Sequence, residues 1–328
     1  MKPKLNISAV GKSGGVVSEV IEAQLEHEGK TEAVVVKRIH KKTEGPQFSY
    51  SDAALQKAAL KNHALDRKIL ERLQEHPTIT VPRLHIHYSR GRQTVMSDFN
   101  AHGYSLMQDR LIETTLPAIT AVNAARTLAN LQLALRDKSL MQGIKPVEDS
   151  KTQVRERLAE AHVLLYGHLD YYRELESKFL SEDGLLYSVG HPKNMAVNGS
   201  GDIMVFDFGR IITGSQQFVP ANFLAHIGLA WIGGVMQPDK AQAFIHDFYE
   251  AFNEIIPIEE MWFVRFFAAE LVHRGLAMRW IDPRMFKQVR KVSAKLAVHA
   301  VFLDVYENEA LTLGALIGSL DNHASKLL

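Results

Sequence analysis

The rhythm of hydrophobic and polar positions changes near residue 100 of this chain. Before it, short alternating runs dominate. "NISAV" reads as a short strand, "GKSGG" as a flexible turn, and "VVSEVIEAQLE" alternates as a second strand. "HEGKT" is a hairpin turn, and the β-branched run "EAVVVKRI" is a third strand. The spacing then becomes helical in "SYSDAALQKAALKNHALDRKILERLQEH", which puts Leu65, Ile69, Leu70 and Leu73 on one face. "VPRLHIHY", the turn "SRGR" and "QTVMSDF" form a second hairpin. After residue 100 the pattern is mainly helical. "LPAITAVNAARTLANLQLALRD" is one long amphipathic helix, and "SKTQVRERLAEAHVLLYGHLDYYRELESKFL" is another, broken near Gly167. "LLYSVGHPKNMAVNGSGDIMVFDFGR", residues 185–210, supplies two short strands around "NGSGD". From Ala221 onward the chain reads as helices separated by "QPDK", "IPIEE" and "DPRM". The pattern predicts an α+β chain with a boundary near residue 100: residues 1–99 as a small sheet with one helix, and residues 100–328 as a larger helical part.

Composition narrows this picture. A chain of 328 residues that is 46% hydrophobic can build one large domain or two lobes with a real core. A net charge of +1 gives no electrostatic reason to expect nucleic acid or a membrane surface as partner. There are no cysteines, which excludes disulfides, thiolate catalysis and cysteine-ligated zinc. "MKPKLNISAVGKSGG" lacks the continuous apolar core of a signal peptide. The most apolar stretch, Phe223 to Met236, is too short to span a bilayer and contains His226. The expectation is a soluble, cytoplasmic protein. Its oligomeric state is not set by the sequence.

Two motifs read as coincidences. "VGKS", Val10 to Ser13, resembles the end of a P-loop, but the glycine required five residues before Gly11 is Asn6, and a strand follows rather than a helix. His85 and His87 of "HIH" share one strand face, without a third ligand at metal-binding spacing, and read as structural.

A kinase-type ATP site needs a glycine-rich turn over the phosphates, a lysine reaching them, a helical carboxylate holding that lysine, and two oxygen ligands for Mg²⁺. The chain offers these in order. Gly11, Gly14 and Gly15 lie in the first turn, Lys37 ends the "AVVVK" run, and Asp66 is the best-placed acid on the following helix. Asn194 and Asp207 stand thirteen residues apart across a strand–turn–strand, so both can meet one metal. Together with Asp207-Phe208-Gly209, these residues resemble the aminoglycoside phosphotransferase and choline kinase branch of the protein-kinase-like fold. The branch reads roughly His-Gly-Asp-x-His-Pro-x-Asn where this chain has Tyr187-Ser188-Val189-Gly190-His191-Pro192-Lys193-Asn194. "TVMSDFNAHGYSL" resembles its hinge and places adenine near Met96, Ser97, Asp98 and Phe99. "TLANLQLAL" resembles a helix that usually carries Leu-His, with Gln132 in place of the histidine, and Asn222 falls in the segment that usually ends in Asp-Leu-Ala. The resemblance implies a bilobal kinase-like fold with ATP and Mg²⁺ as cofactors. It implies catalytic-loop roles for His191, Lys193, Asn194 and Asp207, with Asn194 and Asp207 as metal ligands.

The branch's catalytic aspartate is replaced by Val189, which can neither accept a proton nor a hydrogen bond. Three functions fit. The first is an ATP-dependent phosphotransferase acting on a small hydroxylated acceptor through an atypical loop, in which His191 could serve as base and Lys193 could neutralise phosphate charge. The second is a pseudokinase that regulates or scaffolds a protein partner. The third is transfer of AMP to a protein.

Overall fold

The computed structural model of the chain describes residues 4–14, 18–27, 30–39, 53–85, 91–146, 151, 169–277, 292–307 and 310–326. The first sheet is antiparallel, in the order β1 (Lys4–Gly14), β2 (Ser18–His27), β3 (Lys30–Ile39), β4 (Gln93–Ser97). Its two faces have different tasks. Val34 and Val36 of β3 are fully buried with Ile21, Ala23, Leu25 and Val95, while the alternate residues Val35 and Lys37 line a cavity on the other side. Between β3 and β4 comes α1 (Ala53–Leu73), whose Leu65, Ile69, Leu70 and Leu73 are buried as the helical spacing predicts.

Two expectations in this region need correction. "GKSG" is not a turn: β1 continues to Gly14, with Ser13 opposite Val20 and Gly14 opposite Glu19. The register shifts between Val10 and Lys12, so Gly11 sits at an irregularity inside a strand. Gly15 lies outside the described residues. "VPRLH" is not a full strand either. It makes an isolated antiparallel bridge from Leu84 to Met96, and Thr80 just before it makes a parallel one to Met204. Pro82, between them, has no N–H to continue a ladder. The segment therefore straps the first sheet to the second part of the chain, where the Val205 N–H donates to the Thr80 carbonyl at 3.0 Å. Residues 86–90, the rest of that expected hairpin, lie outside the described residues.

The second part holds two small sheets among helices. β5 (Ser105–Leu106), β7 (Met195–Val197) and β8 (Ile203–Val205) form one, and β6 (Leu185–Tyr187) pairs with β9 (Ile211–Thr213) in the other. The helices are α2 (Met107–Ile112), α3 (Thr120–Arg136), α4 (Leu169–Leu180), α5 (Phe218–Ile232), α6 (Pro238–Asn253), α7 (Glu260–Ala277), α8 (Val292–Glu307) and α9 (Leu313–Ser325). Every residue of α5 is buried, so it is a central rod rather than an amphipathic surface helix. It starts at Phe218, three residues before the expected point. The expected break near Gly167 and the "DPRM" turn lie outside the described residues. Among the described residues, no helix is long and apolar enough to cross a membrane.

Candidate active site

A cavity of about 370 Å³ opens between the first sheet, α1 and the 206–210 segment. β3 contributes Val35, Lys37 and Ile39, and α1 contributes Ala59, Asn62, His63 and Asp66. Those four α1 positions are spaced i, i+3, i+4, i+7, so one helix face turns to the cavity while the leucine face turns to the core. Lys37 is the centre of the site. Its Nζ donates to Asp66 Oδ2 at 3.2 Å and to Asp207 Oδ1 at 2.7 Å. The second oxygen of Asp66 accepts the Phe208 N–H at 2.7 Å, so this one buried carboxylate holds both the lysine and the Asp207-Phe208-Gly209 turn. A Cβ added at Gly209 would lie 3.1 Å from the Asn62 carbonyl oxygen, which explains a glycine where α1 passes closest. Asp207 itself has φ 65° and ψ 62°, a left-handed conformation that aspartate tolerates at a modest cost.

The electrostatics follow from this packing. Burial alone would lower the Lys37 ammonium, but the Asp66 and Asp207 charges outweigh it and hold Lys37 above the ordinary lysine value. Burial pushes the Asp66 carboxyl up, against the opposing pull of Lys37. For Asp207, which is 44% exposed, the cost of partial burial is outweighed by Lys37, helped by His191 and Arg210, and the carboxyl sits below its ordinary value. His63, beside Thr94 Oγ1 at 3.1 Å, is lowered to about 4 by burial and by the positive charges of Lys37 and Arg67.

The loop of residues 188–194 hangs between β6 and β7. Pro192 begins a short 3-10 turn over Pro192–Asn194, and the Asn194 N–H donates to the His191 carbonyl at 2.9 Å. The Asn194 side chain donates Nδ2 to the Val189 carbonyl at 3.0 Å, leaving Oδ1 for another partner, and Asn194 lines the cavity beside Asp207. The Val189 side chain is 7% exposed and belongs to the main hydrophobic core. From α5, Asn222 Nδ2 reaches the carbonyls of Ser188 at 3.3 Å and Gly190 at 3.4 Å. Asn222 Oδ1 accepts from Arg274 Nη2 at 3.1 Å, and Arg274 Nε donates to Glu270 at 3.3 Å.

The structure brings Lys37, Asp66, Asn194 and Asp207 to one cavity, as the spacing argument expected. Met96, Ser97 and Phe99 line it as well. Phe99 stacks on Phe206 with ring centroids 5.5 Å apart. Asp98 is engaged otherwise: its Oδ1 accepts the Asn100 N–H at 2.9 Å and caps the following turn. His191 and Lys193 are half-buried on the loop, and His191 bears electrostatically on Asp207. Gly11 and Gly14 belong to β1, with Gly14 at its end, and the residues that join β1 to β2 lie outside the described residues. His85 Nε2 lies 3.3 Å from Glu32 Oε1. Among the described residues, no cluster of three or more His, Asp or Glu side chains gathers as a metal site.

Sequence reasoning missed Asn62, His63, Phe206 and Arg210, which also line the cavity. The α1 pair was findable from its spacing relative to Asp66. Arg274 was not, because its contact with Asn222 spans 52 residues.

No protein-family model matches the chain, and no curated protein matches it by sequence. Solved structures do match. An aminoglycoside phosphotransferase from Alicyclobacillus acidocaldarius is 12% identical, with a TM-score of 0.51 over 98% of this chain and 94% of that one. The amicoumacin kinase hAmiN is also 12% identical, with a TM-score of 0.53 over 92% of this chain and 88% of that one. Strand order, the helix α1 inserted before the last strand, and the helical second part therefore add up to one architecture: this chain has the bilobal protein-kinase-like fold seen in the aminoglycoside phosphotransferase and amicoumacin kinase structures.

Proposed function

We propose that the chain is an ATP-dependent phosphotransferase that moves the γ-phosphate of ATP to a small hydroxylated acceptor. The observation that carries this is Lys37 bridging Asp66 and Asp207 in a cavity that also holds Asn194. The likeness to an amicoumacin kinase solved in complex with AMP-PNP, Ca²⁺ and Ami supports it. Adenine would lie against Val20, Val35 and Phe206, near the Met96–Phe99 segment, and Lys37 would exchange a carboxylate for phosphate oxygens.

The oxygens on offer suit Mg²⁺. That ion keeps several waters and takes one or two carboxylates plus substrate phosphates, so Asn194 Oδ1 and the Asp207 carboxylate would suffice. Asp207 is 44% exposed and its turn is fixed by Asp66, so it needs no rearrangement to face a ligand. When bound, the ion would offset charge on the β- and γ-phosphates.

Val189 supplies no base, and the loss of a general base costs about 10²–10⁴ in rate. Transfer depends mainly on position and charge, so a slower reaction remains feasible. His191 is the loop side chain able to take the acceptor proton. Val189 also favours a second reading, in which the same site binds nucleotide but serves regulation or scaffolding of a protein partner.

Thermal unfolding with and without ATP and Mg²⁺ tests the site, for the wild type and Asp207→Ala. Ligand at ~100 times its dissociation constant adds about 2.7 kcal/mol. A magnesium-dependent rise lost in Asp207→Ala is expected, and its absence in the wild type refutes both readings. Release of ADP dependent on an added hydroxylated compound then separates transferase from scaffold.

A further inference from the structure

Two neighbouring hydroxyls hold the 206–210 segment at its two ends. Tyr187 ends β6, where its backbone pairs with Ile211 of β9. Its side chain crosses to the residue after β8: the hydroxyl donates to the Phe206 carbonyl at 2.5 Å and lies 3.5 Å from the Asn194 carbonyl oxygen. The Phe206 N–H donates to that same Asn194 carbonyl at 3.1 Å. The Tyr187 ring packs on Phe208, with centroids 5.3 Å apart. Ser188, the next residue, donates its hydroxyl to the Arg210 carbonyl at 2.7 Å. Both residues are buried, each 1% exposed. Burial raises the Tyr187 hydroxyl well above its ordinary value, so it stays a donor.

Between these two anchors stands Asp207 in its left-handed conformation. A residue is kept in such a conformation only when its surroundings over-determine it. Three contacts do so here: Tyr187 on the Phe206 carbonyl, Asp66 on the Phe208 N–H, and Ser188 on the Arg210 carbonyl. Each one grips backbone, which leaves the Asp207 side chain to Lys37 and the cavity. Gly190 makes room for the first of them, since a Cβ there would lie 3.2 Å from Tyr187 Cδ1. The branch that this chain resembles reads His-Gly where the chain has Tyr187-Ser188. A glycine has no side chain to donate, so the second anchor belongs to this sequence.

We propose that Tyr187 and Ser188 are positioning residues whose hydroxyls lock the 206–210 turn in the conformation that presents the Asp207 carboxylate to the cavity, so that a metal-bound nucleotide meets a preformed ligand. The role towards metal and nucleotide rests on the phosphotransferase reading, whereas the lock is a property of the chain alone.

The test compares the full chain as wild type, Tyr187→Phe, Ser188→Ala and the double variant, which remove hydroxyls and keep the rest of each side chain. Hydrogen–deuterium exchange of peptides covering residues 206–210 is followed by mass spectrometry in the nucleotide-free protein. Affinity for AMP-PNP is titrated with and without Mg²⁺. One hydrogen bond is worth about two- to tenfold in an equilibrium constant, so each single variant should speed exchange in the segment by about that factor, and the double variant by more. Exchange in the β2–β3 ladder should stay as in the wild type. The gain in AMP-PNP affinity on adding Mg²⁺ should shrink by a similar factor, while affinity without the metal is unchanged. A general loss of structure would instead weaken both affinities together and speed exchange throughout the chain, which would overturn the proposal. So would wild-type exchange at 206–210 in the double variant, or a full magnesium gain despite faster exchange. Circular dichroism checks that each variant is folded, and the two single variants decide if the double does not fold. A wild type that binds no AMP-PNP refutes the phosphotransferase reading, and the exchange comparison alone then decides the lock.

Discussion

Lys37→Met removes one charge from a three-residue cluster and keeps an unbranched stem of similar length. The two carboxylates left behind are not equivalent. Asp66 is 2% exposed at the side chain, while Asp207 is 44% exposed and can be hydrated. Removing one partner of a buried ion pair costs about 3–5 kcal/mol. With water available to Asp207, and the Phe208 N–H still on Asp66, the lower end applies, about 3 kcal/mol. Unfolding entropy is about 2.1 cal/mol/K per residue, or about 0.7 kcal/mol/K for this chain, so Tm should fall by about 4 °C. The sign with pH is set by Asp66. Burial already raises its carboxyl, and without Lys37 it rises further. A carboxyl raised above its unfolded value contributes stability at acid pH that is lost as pH rises through the folded value. The deficit of Lys37→Met should therefore be larger at pH 7 than at pH 5. Adding Asp66→Asn should restore most of it at pH 7, because the amide oxygen still accepts from Phe208. Differential scanning calorimetry at both pH values measures all three proteins. A Lys37→Met variant as stable as wild type, or a double variant no better than the single, refutes the assignment of Asp66 as the buried partner of Lys37.

Other outcomes are equally specific. His63 is held at about 4, so stability is full above its unfolded value near 6.5 and falls as pH drops from there towards 4; urea unfolding should lose on the order of 2 kcal/mol across that window, and His63→Gln should flatten the loss. Asn222→Asp replaces two donors to loop carbonyls with a buried acceptor; it should cost about 2 kcal/mol and speed amide exchange at residues 188–191, and unchanged exchange would sink the loop-holding role. Val189→Asp puts a charge into the hydrophobic core; it should lower stability by about 3 kcal/mol without accelerating phosphate transfer, whereas a faster, equally stable variant would show that position 189 faces the cleft. Adding a Cβ at Gly201, where φ is +86° and Ile119 Cγ2 would be 2.5 Å away, should destabilise the β7–β8 turn, measured as a lower Tm for Gly201→Ala.

The parts of the site legible in the sequence were those with a local cause. Lys37 is betrayed by a β-branched run whose alternation fixes which face it takes, and Asp66 by a helical period that separates it from the leucines. Asn194 and Asp207 follow from a short hairpin whose turn residues, Asn198 to Asp202, read directly from the chain. What failed was decided by partners far away. Whether "GKSG" is a turn or a strand end depends on β2 offering Val20 and Glu19 as partners, which outweighs the local flexibility of the glycines. Whether "VPRLH" is a strand depends on Met96 and Met204 pulling from two sheets.

The departures of this loop from its resemblance form a single structural change. Three consecutive carbonyls, those of Ser188, Val189 and Gly190, accept hydrogen bonds from side-chain amides of Asn222 and Asn194. A position facing carbonyls needs a donor, which asparagine has and aspartate lacks. Arg274 fixes the amide the right way round by taking its oxygen, and Glu270 neutralises that arginine in a buried setting. With the carbonyls turned to α5 and Asn194, the side chain between them points into the apolar core, and a valine suits that place as an aspartate would not. Val189 and Asn222 are thus mutually consistent, which makes the valine part of how the loop is built. Any chemistry at this site then has to draw on the groups that still face the cavity, Lys37, Asp207 and Asn194.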